Sequence, residues 1–336
     1  MARNQRWLVA IGLLISLIFL YGAFRNLHPD AFISSLRQVN PLLLALGASV
    51  YFGAVVVIAL RWQFVLRGVA FVPLLPLTQL VCIGYMGNNV YPLRAGEALR
   101  IFLLRRNHGV PVARSTTIVI VERVFDGLVM LAFIFIGLLF VPLENASVIN
   151  TVATVATPLF LMAILVFFVL AAQPNILRRL VTLFSRFLPS RFRAIIEKLA
   201  EEIIHGLEAL RSPVYLAGAV ITSFVSWGIE AGVYWLVLFG FGLDQPYALA
   251  LLVVGTVNLA GLIPAAPGNI GVYEFFVSTV VAAVGIPADT GIAYAIVIHI
   301  VIWLPVTLVG FFFLAQQGLK FADVRKAHEL EATAAG

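Results

Sequence analysis

Two stretches decide how this chain is read: YPLRAGEALR (Tyr91–Arg100) and PAAPGNIGVYE (Pro264–Glu274). Each sets Pro, Gly and Glu inside otherwise apolar sequence. The pieces left on either side are about 10 to 17 residues long, short of the roughly 20 a helix needs to cross a bilayer. Broken backbone is tolerated at that depth only where it is buried in protein or lines a cavity. A matched pair of interrupted segments in the two halves of a membrane protein points to a transporter's binding site.

Composition puts the chain in a membrane. Of its 336 residues, 62% are hydrophobic and 11% charged, against about 45–50% and 25% in soluble domains. The net charge of +6 does not imply nucleic acid, because the basic residues are spread between apolar runs as the positive-inside rule expects. The single cysteine, Cys82, excludes an internal disulfide and a cysteine metal cluster. The histidines are too scattered to suggest a metal site. No phosphate loop, zinc-protease helix or nucleophile elbow occurs, so no cofactor is expected.

Full spans are expected at 7–24, 42–60, 116–140, 152–171, 213–240 and 291–315, with broken segments at 74–105 and 247–285 between them. The first run has no small-residue cleavage site and reads as a retained span rather than a secretory signal. Arg3 and Arg6 precede it, which sets the N-terminus in the cytoplasm. Arg61 and Arg67 follow the second span, and Arg94 to Arg114 lie in and after the first broken segment. A basic run from Arg178 to Arg211 and Lys320, Arg325 and Lys326 complete the inner set. From Ser212 to Leu319 there is no Lys or Arg, and the connections at Glu144, Asp244 and Asp289 are acidic. The first broken segment then re-enters from the cytoplasm and the second from outside. Residues 1–140 and 152–315 become inverted halves of one membrane domain. A faint echo accompanies this: Asn88, Pro92, Gly96, Glu97 and Pro111 run in the order of Asn258, Pro264, Gly271, Glu274 and Pro287. Residues 172–211 form a connector whose Ile176, Leu180, Leu183 and Phe184 recur at helical spacing among arginines. It is either a basic amphipathic helix on an anionic leaflet or a solvated cytoplasmic linker. Residues 316–336 read as a cytoplasmic tail.

Ionisable groups within spans are costly and are functional candidates. In the first break, Pro92 and Gly96 end one short helix and open another, with Glu97 in its first turn, where the helix dipole favours an acid. Arg94 and Arg100 flank it and offer forked donors suited to phosphate. In span three, Glu122 and Asp126 share a helix face, and Arg123 points elsewhere, toward Glu97. This cluster either pins the hairpin or binds substrate. In the second break, amides around Gly268–Gly271 are placed to face an anion, with Asn269 as a cap and Glu274 in the first turns. Glu274 has no Lys or Arg nearby. It is neutral, paired across the bundle, or a proton or cation site. Glu230, in mid-span five, needs a partner, and His299 in span six is a plausible one.

These blocks together, Tyr91–Glu97 with Arg100, Glu122-Arg123 with Asp126, and Pro264-x-x-Pro267-Gly268-x-x-Gly271-x-x-Glu274, resemble the lysylphosphatidylglycerol synthase transmembrane-region family of flippase-like proteins. The resemblance covers about 7–315. It implies a multi-pass bundle that moves a lipid across the membrane, with Arg94, Glu97, Arg100, Glu122, Arg123, Asp126, Gly268, Gly271 and Glu274 at the matching positions. Two-domain relatives carry a soluble synthase. This chain stops after a short polar tail, so aminoacylation is not implied.

The expectation is an all-α polytopic bundle of six full spans and two opposed re-entrant hairpins, in a bacterial inner membrane. It would translocate an anionic phospholipid or polyprenyl-phosphate-linked lipid, without being an enzyme. Alternatives are an intramembrane headgroup or glycosyl transferase, or a scaffold for a separate lipid-modifying enzyme. Nothing in the sequence signals an oligomeric state.

Overall fold

The structure, a computed structural model, describes residues 3–67, 70–92, 94–141 and 213–318, together with 158, 162, 165, 173–186, 189, 192–194, 196, 197 and 201. Every regular element among them is a helix: α1 (Arg3–Phe24), α2 (Pro29–Arg37), α3 (Pro41–Leu66), α4 (Leu74–Val90), α5 (Ala95–His108), α6 (Val112–Phe140), α7 (Pro174–Ser185), α8 (Pro213–Gly240), α9 (Tyr247–Ala260), α10 (Val272–Ala282) and α11 (Ala288–Gln316).

The boundaries follow from local chemistry. Asn40 caps α3 by accepting the Leu42 amide at 3.0 Å, with Pro41 at the first helical position, where its missing N–H is no loss. Gly109 closes α5 in the left-handed region and donates its amide to Arg105, as a glycine cap does. Between α4 and α5 the chain turns at Arg94, a non-glycine residue with φ 53°.

Stretches within α3, α6, α8 and α11 are long and apolar enough to cross a membrane. The chain is therefore a multi-pass membrane protein. The expected second span grows from 42–60 to 41–66, because no breaker follows Leu60; Arg61 thus lies inside the helix, not after it. The first span has a sequel missed in the sequence: Val9–Phe24 is followed by Pro29–Arg37 after a bend of 88°. The expected span at 152–171 and the tail at 319–336 lie outside the described residues, as does much of the connector. Within the connector, α7 forms and leaves Leu180, Leu183 and Phe184 exposed, while Arg178 pairs with Glu201 at 2.9 Å.

Small residues set the packing. Helices in lipid associate by close backbone approach rather than by a hydrophobic drive. α3 and α8 run antiparallel, with Gly47 against Val233, Gly53 against Ile229 and Gly218 against Phe64. α4 and α5 fold back as a helical hairpin. A Cβ on Gly96 would stand 1.8 Å from the Gly84 carbonyl oxygen. α9 and α10 likewise pack on each other. Each hairpin leans on a long helix of the other half. Gly310 of α11 meets the Cys82 carbonyl of α4, and Gly255 of α9 meets the Met130 carbonyl of α6.

Candidate functional site

The tips of the two hairpins meet. Arg94 donates from Nη2 to the Gly261 carbonyl oxygen at 2.7 Å, tying the first tip to the second. Gly268, at φ 70°, packs beside the Trp303 indole and the Asn89 carbonyl. Asn89 donates to Thr307 Oγ1 at 2.8 Å, holding α4 against α11. Around the tips lies a cavity of about 550 Å³.

One wall is an ion network. Arg61, 2% exposed, donates to Asp126 Oδ1 at 2.7 Å, to Ser223 Oγ at 3.2 Å and to Glu122. It thereby joins α3, α6 and α8. Arg100 reaches the other Glu122 oxygen at 3.3 Å and lies over the Trp62 ring, 4.7 Å from its centroid. Trp227 donates its indole N–H to Asp126 at 2.7 Å. Arg123 spans Glu97 at 3.3 Å and Asp126 at 3.6 Å. Buried ions need such matched partners, since desolvation costs several kcal/mol per charge.

The guanidiniums fall into two kinds. Those of Arg61 and Arg100 are enclosed. Those of Arg94 and Arg123 keep 41% and 39% of their side-chain surface open.

The second cluster belongs to α10. Glu274 accepts the Gly271 amide on Oε2 and meets His299 Nδ1 through Oε1, both at 2.6 Å. The imidazole stacks on Tyr273 at 4.0 Å, and Tyr273 donates to Tyr234 Oη at 2.6 Å.

Of the residues singled out in the sequence, Gly96, Glu97, Gly271 and Glu274 stand behind the cavity wall, and the others line it. Four expectations change. His299 pairs with Glu274 and not with Glu230, because the capping geometry of α10 turns Glu274 toward α11. The Gly271 amide is taken by Glu274 and is not free for an anion. The cap of α10 is Gly271, at φ 93°, and not Asn269, which sits two residues earlier at φ 56°. Arg100 faces Glu122 and Trp62 rather than open space. Gly96 serves close packing. Glu97 pairs with Arg123, as expected, and with Arg94 at 3.8 Å.

Sequence reasoning missed Arg61 as a site residue. Its signal was present: with no Pro or Gly between Leu60 and Leu66, the helix has no reason to stop. It also missed the tyrosines Tyr51, Tyr85 and Tyr273 and the asparagines Asn88 and Asn89, which line the cavity.

Apolar spans, two apposed hairpins and a charged cavity between them define a polytopic membrane protein with a polar site among its helices. The chain belongs to the family described as the lysylphosphatidylglycerol synthase TM region, whose profile matches residues 9–310. It is similar to a UPF0104 membrane protein of Methanothermobacter thermautotrophicus, with 27% identity over 91% of this chain and 92% of that one. A second such protein from the same organism is 23% identical over 97% of both chains. The glycosyltransferase AglD of Haloferax volcanii is 26% identical over 91% of this chain. The chain spans 54% of that relative's length. No solved structure matches the chain.

Proposed function

We propose that the protein translocates lipids bearing an anionic or phosphate-linked headgroup between bilayer leaflets. The observation that carries this reading is the meeting of two hairpin tips over a cavity whose open guanidiniums, Arg94 and Arg123, face the space between them. The headgroup phosphate binds these two forks, while the tails stay in lipid. Arg94 and Arg123 are the guanidiniums left partly open at the cavity, which favours an anion there.

The hairpins are re-entrant in this reading. At 1.5 Å per residue, α4 is about 26 Å long, α5 and α9 about 21 Å, and α10 about 17 Å, all short of a hydrocarbon core of about 30 Å. The halves form an inverted repeat. Exchanging α3, α4, α5 and α6 with α8, α9, α10 and α11 maps the packed pairs onto one another: α3 with α8 onto itself, α4 with α11 onto α9 with α6, and α5 with α6 onto α10 with α11. Glu97 and Glu274 both occupy the third position of their helices, and Pro111 and Pro287 both cap the long helices that follow. Inverted repeats of this kind give alternating access. Together with the expected span at 152–171, this makes six spans and two hairpins. By the positive-inside rule, the basic loops favour the cytoplasmic side for both termini.

The test is leaflet transfer of a fluorescent anionic phospholipid in vesicles of purified protein. The R94Q/R123Q variant keeps the Arg61 and Arg100 contacts to Glu122 and Asp126 and removes both countercharges of Glu97; it should lose transfer while still eluting as a folded species. Wild-type transfer rates in that folded variant would refute the assignment. The name of AglD raises glycosyl transfer as a second reading; product formed by this protein from a lipid phosphate and a sugar donor, without transfer, would favour it.

A further inference from the structure

Every acid around the cavity but one has its countercharge in the protein. Glu122 has Arg61 and Arg100, Asp126 has Arg61 and Arg123, and Glu97 has Arg123 and Arg94. Glu274 has His299. Glu230 is the exception. It stands near the middle of α8, is 5% exposed and lines the cavity. Among the described residues no hydrogen bond or ion pair reaches its carboxylate.

The other ionisable groups on its cavity wall include Tyr51 on α3, Tyr85 on α4, Asp126 on α6, Tyr234 on α8 itself and Tyr273 on α10, with Arg94, Arg100 and Arg123, each of these arginines paired with another acid. From α11 the titratable group on the cavity wall is His299, already engaged by Glu274. The part of α9 in the wall, Val257 to Leu259, carries no charge. A bare carboxylate at this depth costs several kcal/mol. Asp126 nearby raises that cost, since like charges disfavour each other.

We infer that Glu230 is the binding site for one monovalent cation, a proton or an alkali metal ion, drawn from the cavity. The chemistry matches a single charge. One carboxylate supplies one negative charge, and the tyrosines that share its cavity wall, Tyr51, Tyr85, Tyr234 and Tyr273, carry hydroxyls able to give oxygen atoms to a small ion or hydrogen bonds to an acid. A divalent ion would need six to eight oxygens, several of them carboxylate. The inference goes beyond lipid transfer: a cation held here offsets the charge of an anionic headgroup bound at Arg94 and Arg123, which line the same cavity.

The test reads binding and not transport, so it stands whether or not the protein moves lipid. Purified full-length protein in detergent is titrated with alkali while the carboxylic-acid carbonyl stretch is followed by infrared difference spectroscopy. Separately, it is titrated calorimetrically with NaCl against choline chloride at constant ionic strength. Wild type should give a signal of one site per chain, either an acid band that vanishes as protons are withdrawn or a sodium-specific heat. The arm that responds names the cation. E230Q should lose that signal, and E230D should shift it. Infrared and heat traces in E230Q that match wild type would overturn the inference, as would a wild type silent in both arms. Should E230Q fail to fold, an E230D trace superimposable on wild type in both arms would overturn it equally.

Discussion

Replacing Arg61 with Met tests whether the ion network holds the bundle together. The change keeps most of the side-chain length but removes two charge-assisted contacts, to Asp126 at 2.7 Å and to Glu122, and the bond to Ser223. The carboxylates left behind stay buried. Breaking one side of a buried pair costs about 3–5 kcal/mol, because the remaining charge is uncompensated. Arg100 still reaches Glu122 at 3.3 Å, and Trp227 and Arg123 still reach Asp126, so the lower end, about 3 kcal/mol, applies. Cys82 provides the assay. It is the only cysteine and is 1% exposed, so a thiol-reactive dye labels it only when the bundle opens. With about 1.4 kcal/mol per factor of ten, labelling of R61M should be over 100-fold faster than wild type. R61M/E122Q removes one charge of each sign and keeps an oxygen for Arg100; it should recover about 2 kcal/mol, a coupling energy within the range for contacting residues. Labelling of R61M within tenfold of wild type, or a double variant no slower to label than R61M, would refute the reasoning.

Two further outcomes follow from the packing. Gly96→Ala would put a methyl 1.8 Å from the Gly84 oxygen and 2.7 Å from the Asn88 amide nitrogen, so it should cost about 1–3 kcal/mol or more; Gly127→Ala meets nothing within 4 Å and should gain up to about 1 kcal/mol in helix propensity, both read by Cys82 labelling. Glu274→Ala strands the Gly271 amide and the His299 ring and should lower stability by about 1–3 kcal/mol in a thermal melt, whereas Glu274→Gln, which can still accept from Gly271 and donate to His299, should keep most of it.

The breaks were legible because Pro and Gly act locally. Pro92, Pro264, Pro267 and Gly268 interrupt helices wherever they fall, and α4, α5, α9 and α10 start and stop around them. The proximity of Arg123 to Glu97 could also be read, since Arg123 lies off the face shared by Glu122 and Asp126. What the sequence did not yield were choices among partners. Glu230 and His299 both sit at mid-helix, so depth alone makes them a pair. The actual pairing depends on the capping of α10, where Gly271 takes φ 93° and turns Glu274 across to α11. Arg61 was misread for a related reason: a charge near a span's end suggests a boundary, whereas its carboxylate partners lie 61 and 65 positions away.

That division explains why the site has two regimes. The residues in contact with several helices, Arg61, Arg100, Glu122 and Asp126, have their charges paired within the network, although the Nε atoms of Arg61 and Arg100 find no hydrogen-bond partner among the described residues; adding a ligand there would mean breaking about 3 kcal/mol or more of paired charge. Arg94 and Arg123 hold only partial contacts, and Glu230 holds none among the described residues. If the two hairpins move relative to each other, the Arg94–Gly261 contact at the tips is the first to break, because it is a single bond from a half-exposed side chain. The network behind it joins four helices, α3, α5, α6 and α8, through several bonds.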